Sequence, residues 1–257
     1  MSQPVRIYTE GGPKRTFAVA LDWPGWARSG KGEEAAIESL DAYLPRYAAV
    51  LTRAGIEPPS SDAGFTVVER LPATASTDFG TLDKDTQADL EPLRPGETER
   101  LAAIVAAAWE EFDEVVAHAP AELRKGPRGG GRDRDKVYAH VVNAEASYIR
   151  KIGVRGSTAG QEVPEPVWRA EVLEVLRTAT SPERFGEKGW LPRYAARRIA
   201  WHVLDPAWEI EDRTERSLRA STHDGTPVGT GVPSCPDGVG AGGPGPTRCR
   251  AASSRPS

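Results

Sequence analysis

Tyr194-Ala-Ala-Arg-Arg-Ile-Ala-Trp-His202-Val-Leu-Asp-Pro206-Ala-Trp-Glu-Ile-Glu211 decides how the second half of the chain is read. Tyr194, Ile199, Trp201, His202, Trp208 and Ile210 recur at helical intervals and predict one helix over about 192–215. Moving toward the N-terminus, the same period returns three times. It predicts a helix over 97–118 with Leu101, Ile104, Val105, Ala108, Phe112, Val115 and Val116 on one stripe. A second covers 133–152 with Val137, His140, Val141, Ala144 and Tyr148. A third covers 165–180, opened by Pro164 and Pro166 and carrying Trp168, Val172, Val175 and Leu176. Four helices with short or moderate connections read as an up-down four-helix bundle over residues 97–216.

Upstream of residue 73 the period is that of strands. Val5-Arg-Ile-Tyr-Thr-Glu10 alternates, Gly11-Gly-Pro-Lys14 turns, and Thr16-Phe-Ala-Val-Ala-Leu21 is apolar, which predicts a hairpin. After Gly30-Lys-Gly32, a helical pattern runs over 33–53 with Ala36, Ile37, Leu40, Leu44, Tyr47 and Leu51, kinked or split at Pro45. Gly55 ends it, and Phe65-Thr-Val-Val-Glu-Arg-Leu71 is a last strand. The expected class is therefore α+β in two domains. A small α/β domain occupies 1–72, a polar Pro-containing linker 73–96 and the bundle 97–216. Residues 217–257 are rich in glycine and proline, hold no aromatic group and read as a disordered tail.

The 257 residues carry 33 Lys+Arg and 37 Asp+Glu, a net charge of −4, with 39% hydrophobic residues. That balance excludes a wholly disordered or fibrous chain. No apolar run approaches the ~20 residues that span a bilayer. The first residues lack a secretory pattern, and the two cysteines, Cys235 and Cys249, lie in the tail. A cytoplasmic protein without a membrane partner is the expectation. Charge is uneven: residues 121–155 hold nine Lys/Arg against four Asp/Glu, a local +5 that leaves −9 elsewhere. Arg124, Lys125, Arg128 and Arg132 around Gly-Pro-Arg-Gly-Gly-Gly131 suit a small anion better than a nucleic-acid track. No Gly-Lys-Ser/Thr follows, so this loop is not a P-loop. A solvated loop is the plain alternative.

Two resemblances add to this reading. Phe17-Ala-Val-Ala-Leu-Asp-Trp-Pro-Gly-Trp-Ala-Arg-Ser-Gly-Lys-Gly-Glu-Glu-Ala35 resembles the HicB-like antitoxin domain, with a shorter spacing before Glu33-Glu34 than that family shows. It implies a partial RNase H-like α/β unit within 5–72 that binds partners rather than catalyses. Asp135-Lys-Val-Tyr-Ala-His140-Val-Val-Asn-Ala-Glu145, together with Arg197 through Glu211, resembles the DinB/YfiT-like family over about 97–215. This second likeness implies a four-helix bundle that holds a divalent metal, zinc or nickel, on three histidines. It also implies a thiol cosubstrate, since several members look like transferases that use a low-molecular-weight thiol.

His140 and His202 match two of the three metal positions, but Pro206 stands at the third. A His pair four residues apart shares one helical face. Proline offers no lone pair and removes a backbone N–H. Asp205 and Glu209 share the face of His202, so a carboxylate is a candidate replacement, with Glu145 near His140. The leading expectation is a DinB-like metal-dependent enzyme, a thiol S-transferase, with an incomplete histidine site and a small anionic or thiol-linked substrate. The competing one is a non-catalytic binding or regulatory protein built on a degenerate bundle and the HicB-like domain. No nucleic-acid partner is expected, and a homodimer is an open assembly. His118, before Pro120, reads as a C-terminal helix cap, and Asp22 as a turn former.

Overall fold

The computed structural model describes residues 3–12, 14–126, 130–154 and 165–222, with backbone alone at 165–166 and 215–222. The chain is α+β, and the order of its elements begins β1 (Val5–Gly11), β2 (Thr16–Ala20) and β3 (Ala27–Gly30). Helices α1 (Glu33–Ala42) and α2 (Leu44–Arg53) follow, then β4 (Phe65–Pro72). Next come a single-turn helix α3 (Ala75–Asp78) and a 3-10 turn (Gln87–Leu90). The long helices α4 (Glu97–His118), α5 (Arg134–Lys151), α6 (Glu165–Arg177) and α7 (Pro192–Thr222) complete it. The strands form one sheet in the order β3-β2-β1-β4. β1 and β2 pair antiparallel with Tyr8 opposite Val19, and β1 pairs parallel with β4 through a register shift between Ile7 and Tyr8.

Pro45 splits the helical pattern of residues 33–53 into two helices, and it sits in the first turn of α2, where its missing N–H costs nothing. Pro206 is different. It lies inside α7, which continues past it to Thr222, six residues into the segment expected to be tail. The remainder of that tail lies outside the described residues.

Both faces of the sheet are covered. Val5, Ile7, Ala18 and Ala20 join the largest hydrophobic cluster together with Trp26, Leu40, Tyr47 and Leu51. The same cluster continues through Ile104, Phe112, Val141, Val172, Ile199 and Trp208, so the sheet and the long helices share one core. Tyr8, Phe17, Val19 and Leu21 point to the other face, where Leu82, Ala88 and Trp201 cover them. Residues 73–96 are thus not a free tether but a strap laid across the sheet. Thr77 donates to the buried Glu10 carboxylate, and Asp89 accepts both Nη groups of Arg197 at 2.7 Å. Arg193 donates to Glu97 at 2.5 and 2.9 Å and to the carbonyls of Glu91 and Pro92.

The turn between β2 and β3 meets α7 at van der Waals contact. Gly25 has φ +92°, and a Cβ there would come within 2.6 Å of Leu204 and 3.1 Å of Ala200. Only glycine meets both the dihedral and the spacing. α4 packs along α6 and α7, and α5 along α7. That last pairing creates the candidate site.

Candidate functional site

α5 and α7 each lay one histidine on a shared groove. His140 follows Val137 by three residues and precedes Val141, whose burial turns α5 toward the core and leaves His140 at the groove's edge. His202 sits on α7 beside Val203, 8% exposed. Their ring centroids are 5.5 Å apart with planes inclined at 46°. The groove holds about 740 Å³ and is lined by both histidines, Phe79, Arg132, Trp201 and Pro206, with Asp205 and Glu209 at its margin.

Burial pushes the His202 imidazole down to about 3, helped by the Arg198 guanidinium, by the neighbouring His140 ring where that is protonated, and by Arg132. His140 is lowered as well, by burial and by Arg132, against the opposing pull of Glu209. At neutral pH the groove therefore contains two uncharged imidazoles. His202 Nδ1 is buried without a hydrogen-bond partner, while Tyr148 presents its ring edge-on at 5.1 Å.

The carboxylates expected to complete a metal site are engaged elsewhere. Asp205 pairs with Arg28 of β3 at 2.7 Å, and that guanidinium also lies 3.9 Å over the Tyr43 ring. Glu209 pairs with Arg213 one turn along α7, at 2.9 Å. Glu145 accepts the indole N–H of Trp109 in the core between α4 and α5. Among the described residues no group of three or more His, Cys, Asp or Glu is close enough to hold a metal ion. The donors at this groove that stand outside an ion pair are two imidazoles, which falls short of the three protein ligands that a catalytic zinc site uses.

The basic loop is divided by the fold. Arg132 reaches the groove. Lys125 pairs with Asp133, while the Arg124 carbonyl accepts from Arg213 Nε at 2.8 Å. Arg128 lies outside the described residues. His118 caps α4, its Nδ1 2.8 Å from the Glu114 carbonyl, and Asp22 is held by Arg6 and Arg94.

Sequence reasoning missed Phe79, Trp201 and Tyr148 as parts of the site. Phe79 is 88% exposed on the strap at the groove's rim, and no periodicity marks a strap. Trp201 and Tyr148 scan as ordinary core positions, which in part they are. No family model matches this chain, and no curated protein or solved structure is significantly similar to it.

Proposed function

We propose that this chain is a small-molecule-binding protein on a DinB-like bundle, in which two neutral histidines act as hydrogen-bonding groups rather than as metal ligands. The observation that carries it is the pairing of Asp205 with Arg28 and of Glu209 with Arg213, beside a His140–His202 pair across an open groove. A third ligand would have to be taken from an ion pair, either the Asp205–Arg28 pair that ties α7 to the sheet or the Glu209–Arg213 pair along α7 itself. The helix order and the place of His140 and His202 support the DinB-like part of the reading. The β3-β2-β1-β4 order, with two helices between β3 and β4, supports a HicB-like origin for the sheet.

The ligand this groove suits is a small molecule with an anionic or thiol-bearing end and an apolar body. Neutral imidazole nitrogens can donate to a carboxylate or accept from a thiol, and Arg132 supplies one cation. Phe79, Val137, Trp201 and Pro206 offer apolar surface for the body. Pocket sites of this kind combine apolar walls with a few placed polar groups.

Two measurements on the untagged full chain test the proposal. Metal analysis and zinc or nickel titration should show substoichiometric content and weak binding. Titration with N-acetylcysteine, a small thiol carboxylate, should shift the ring proton resonances of both histidines, and His202→Ala should abolish the shift. One equivalent of tightly held metal that is lost in His202→Ala would restore the metalloenzyme reading. Unmoved histidine resonances would remove this ligand class from the groove.

A further inference from the structure

Trp201 also borders a second, much smaller space, between α7 and the covered face of the sheet. It holds about 10 Å³ and is lined by Tyr8, Leu82, Tyr194, Arg197, Arg198 and Trp201 among others. That is the space open to the centre of a water-sized guest, which makes room for one small guest, a water molecule or a monatomic ion. Three N–H groups of this lining are buried without a hydrogen-bond partner among the described residues: Arg197 Nε, Arg198 Nη1 and Trp201 Nε1. No carboxylate is among the lining residues.

Charge separates the two arginines. Arg197 gives both Nη groups to Asp89, so its cation is answered. Arg198 is 9% exposed, and it makes no ion pair among the described residues. Its Nη2 donates to the Tyr148 hydroxyl at 2.9 Å, and its guanidinium lies 5.1 Å from the Tyr148 ring and 5.0 Å from that of Trp201. Aromatic faces and a phenol soften a buried cation but do not neutralise it, and a buried charge without a counter-ion is strongly unfavourable.

We propose that this cavity is a monatomic-anion site, filled by chloride in the cell, where the ion accepts from Arg197 Nε, Arg198 Nη1 and Trp201 Nε1 and neutralises Arg198. The alternatives fit less well. A water molecule accepts two hydrogen bonds, brings two donors into a space already rich in donors, and leaves the charge unanswered. A phosphate brings four oxygens to three single donors and so would leave acceptors unmet. The ion would also fix the indole of Trp201, which lines the groove as well, and so would steady one wall of the ligand site. This inference rests on the cavity and its donors, not on what the groove binds.

The full chain, exchanged into sodium gluconate, is titrated with sodium bromide at constant ionic strength while its melting temperature is followed. Gluconate is too large for the cavity. Bromide should raise the melting temperature saturably, and at ten times its half-saturating concentration the folding constant should gain about elevenfold. Arg198→Met should remove the bromide dependence. Crystals soaked in bromide should show an anomalous peak between Arg198 and Trp201. A flat titration overturns the proposal, with or without a peak at crystal concentrations, and so does a bromide effect that Arg198→Met retains. If that variant does not fold, the wild-type titration and the anomalous peak decide: both present supports the site, either absent overturns it.

Discussion

Pro206 is the residue on which the chemistry of the groove turns. It lies on the groove wall, one helical turn beyond His202. Replacing it by histidine would set an i, i+4 imidazole pair opposite His140 and add a ligand that needs no ion pair broken. Pro206→His should tighten zinc or nickel binding at least about tenfold, or about 1.4 kcal/mol, by isothermal titration. Equal affinities for wild type and variant would mean that α5 and α7 do not converge on one ion. His202 itself makes a pH prediction. Its folded-state value of about 3 lies below the ordinary 6.5, so the unfolded chain binds the extra proton between those limits. The stability contributed by the neutral ring is fully present above pH 6.5 and is lost as the pH falls toward 3. Between pH 6.5 and 5.5, largely above the titration of unfolded carboxylates, stability should fall with a slope that steepens toward about 1.4 kcal/mol per pH unit. His202→Gln should remove most of that slope in urea titrations, leaving the smaller share from His140; an unchanged slope would place the titrating group elsewhere. The two histidines were legible because residue type and spacing carried them. The engagement of Asp205 was not, because its partner Arg28 lies 177 residues away in the sequence and meets it only in the folded chain.

At the scale of elements, the strap over 73–96 repays closest reading. Composition marks it as polar and proline-bearing, and those are the marks of a linker. Its polar groups instead point inward. Asp89 and Thr77 are fully buried, Thr86 nearly so, and Asp89 answers Arg197 while accepting the Thr86 N–H at 2.8 Å. Arg193 and Arg94 work on the Glu97 carboxylate in the same way: burial alone would raise it, yet their hydrogen bonds bring it down to about 2. A polar segment can be buried when each group meets a partner, and composition cannot tell that case from a solvated tether. Asp89→Ala leaves the Arg197 guanidinium buried without its carboxylate and should cost about 3 to 5 kcal/mol in denaturant unfolding. A loss below about 1 kcal/mol would show the strap to be dispensable. The regular elements were far more legible. The 3.6-residue stripes placed α4 on its observed bounds and α5 within a residue at each end, because a helix that buries one face writes that face into its sequence.

On the scale of the whole molecule, the sheet and the helices behave as halves of one core rather than as neighbours. Tyr43 stacks edge-on with Trp208 at 5.2 Å, Arg46 pairs with Asp212 at 2.6 Å, and the Gly25 turn rests on Ala200 and Leu204. The change of period near residue 73 is a change of secondary structure, and nothing in a hydrophobic pattern says whether two apolar faces are buried separately or against each other. Here they are buried against each other. α7 offers apolar residues to α4, to the sheet and to the α1–α2 corner at once, which explains why so much of its circumference is buried. A fragment of residues 93–216 would keep α4, α5, α6 and all but the last six residues of α7, but lose Asp89 under Arg197, Tyr43 against Trp208 and the turn over Leu204. The exposed apolar face and the unanswered guanidinium both oppose its folding. It should therefore show helical circular dichroism without a cooperative melting transition, whereas the full chain should unfold in a single step with coincident fluorescence and dichroism curves. A fragment that melts cooperatively near the temperature of the full chain would mean that the contacts across the sheet add little, and that the helices carry their own core.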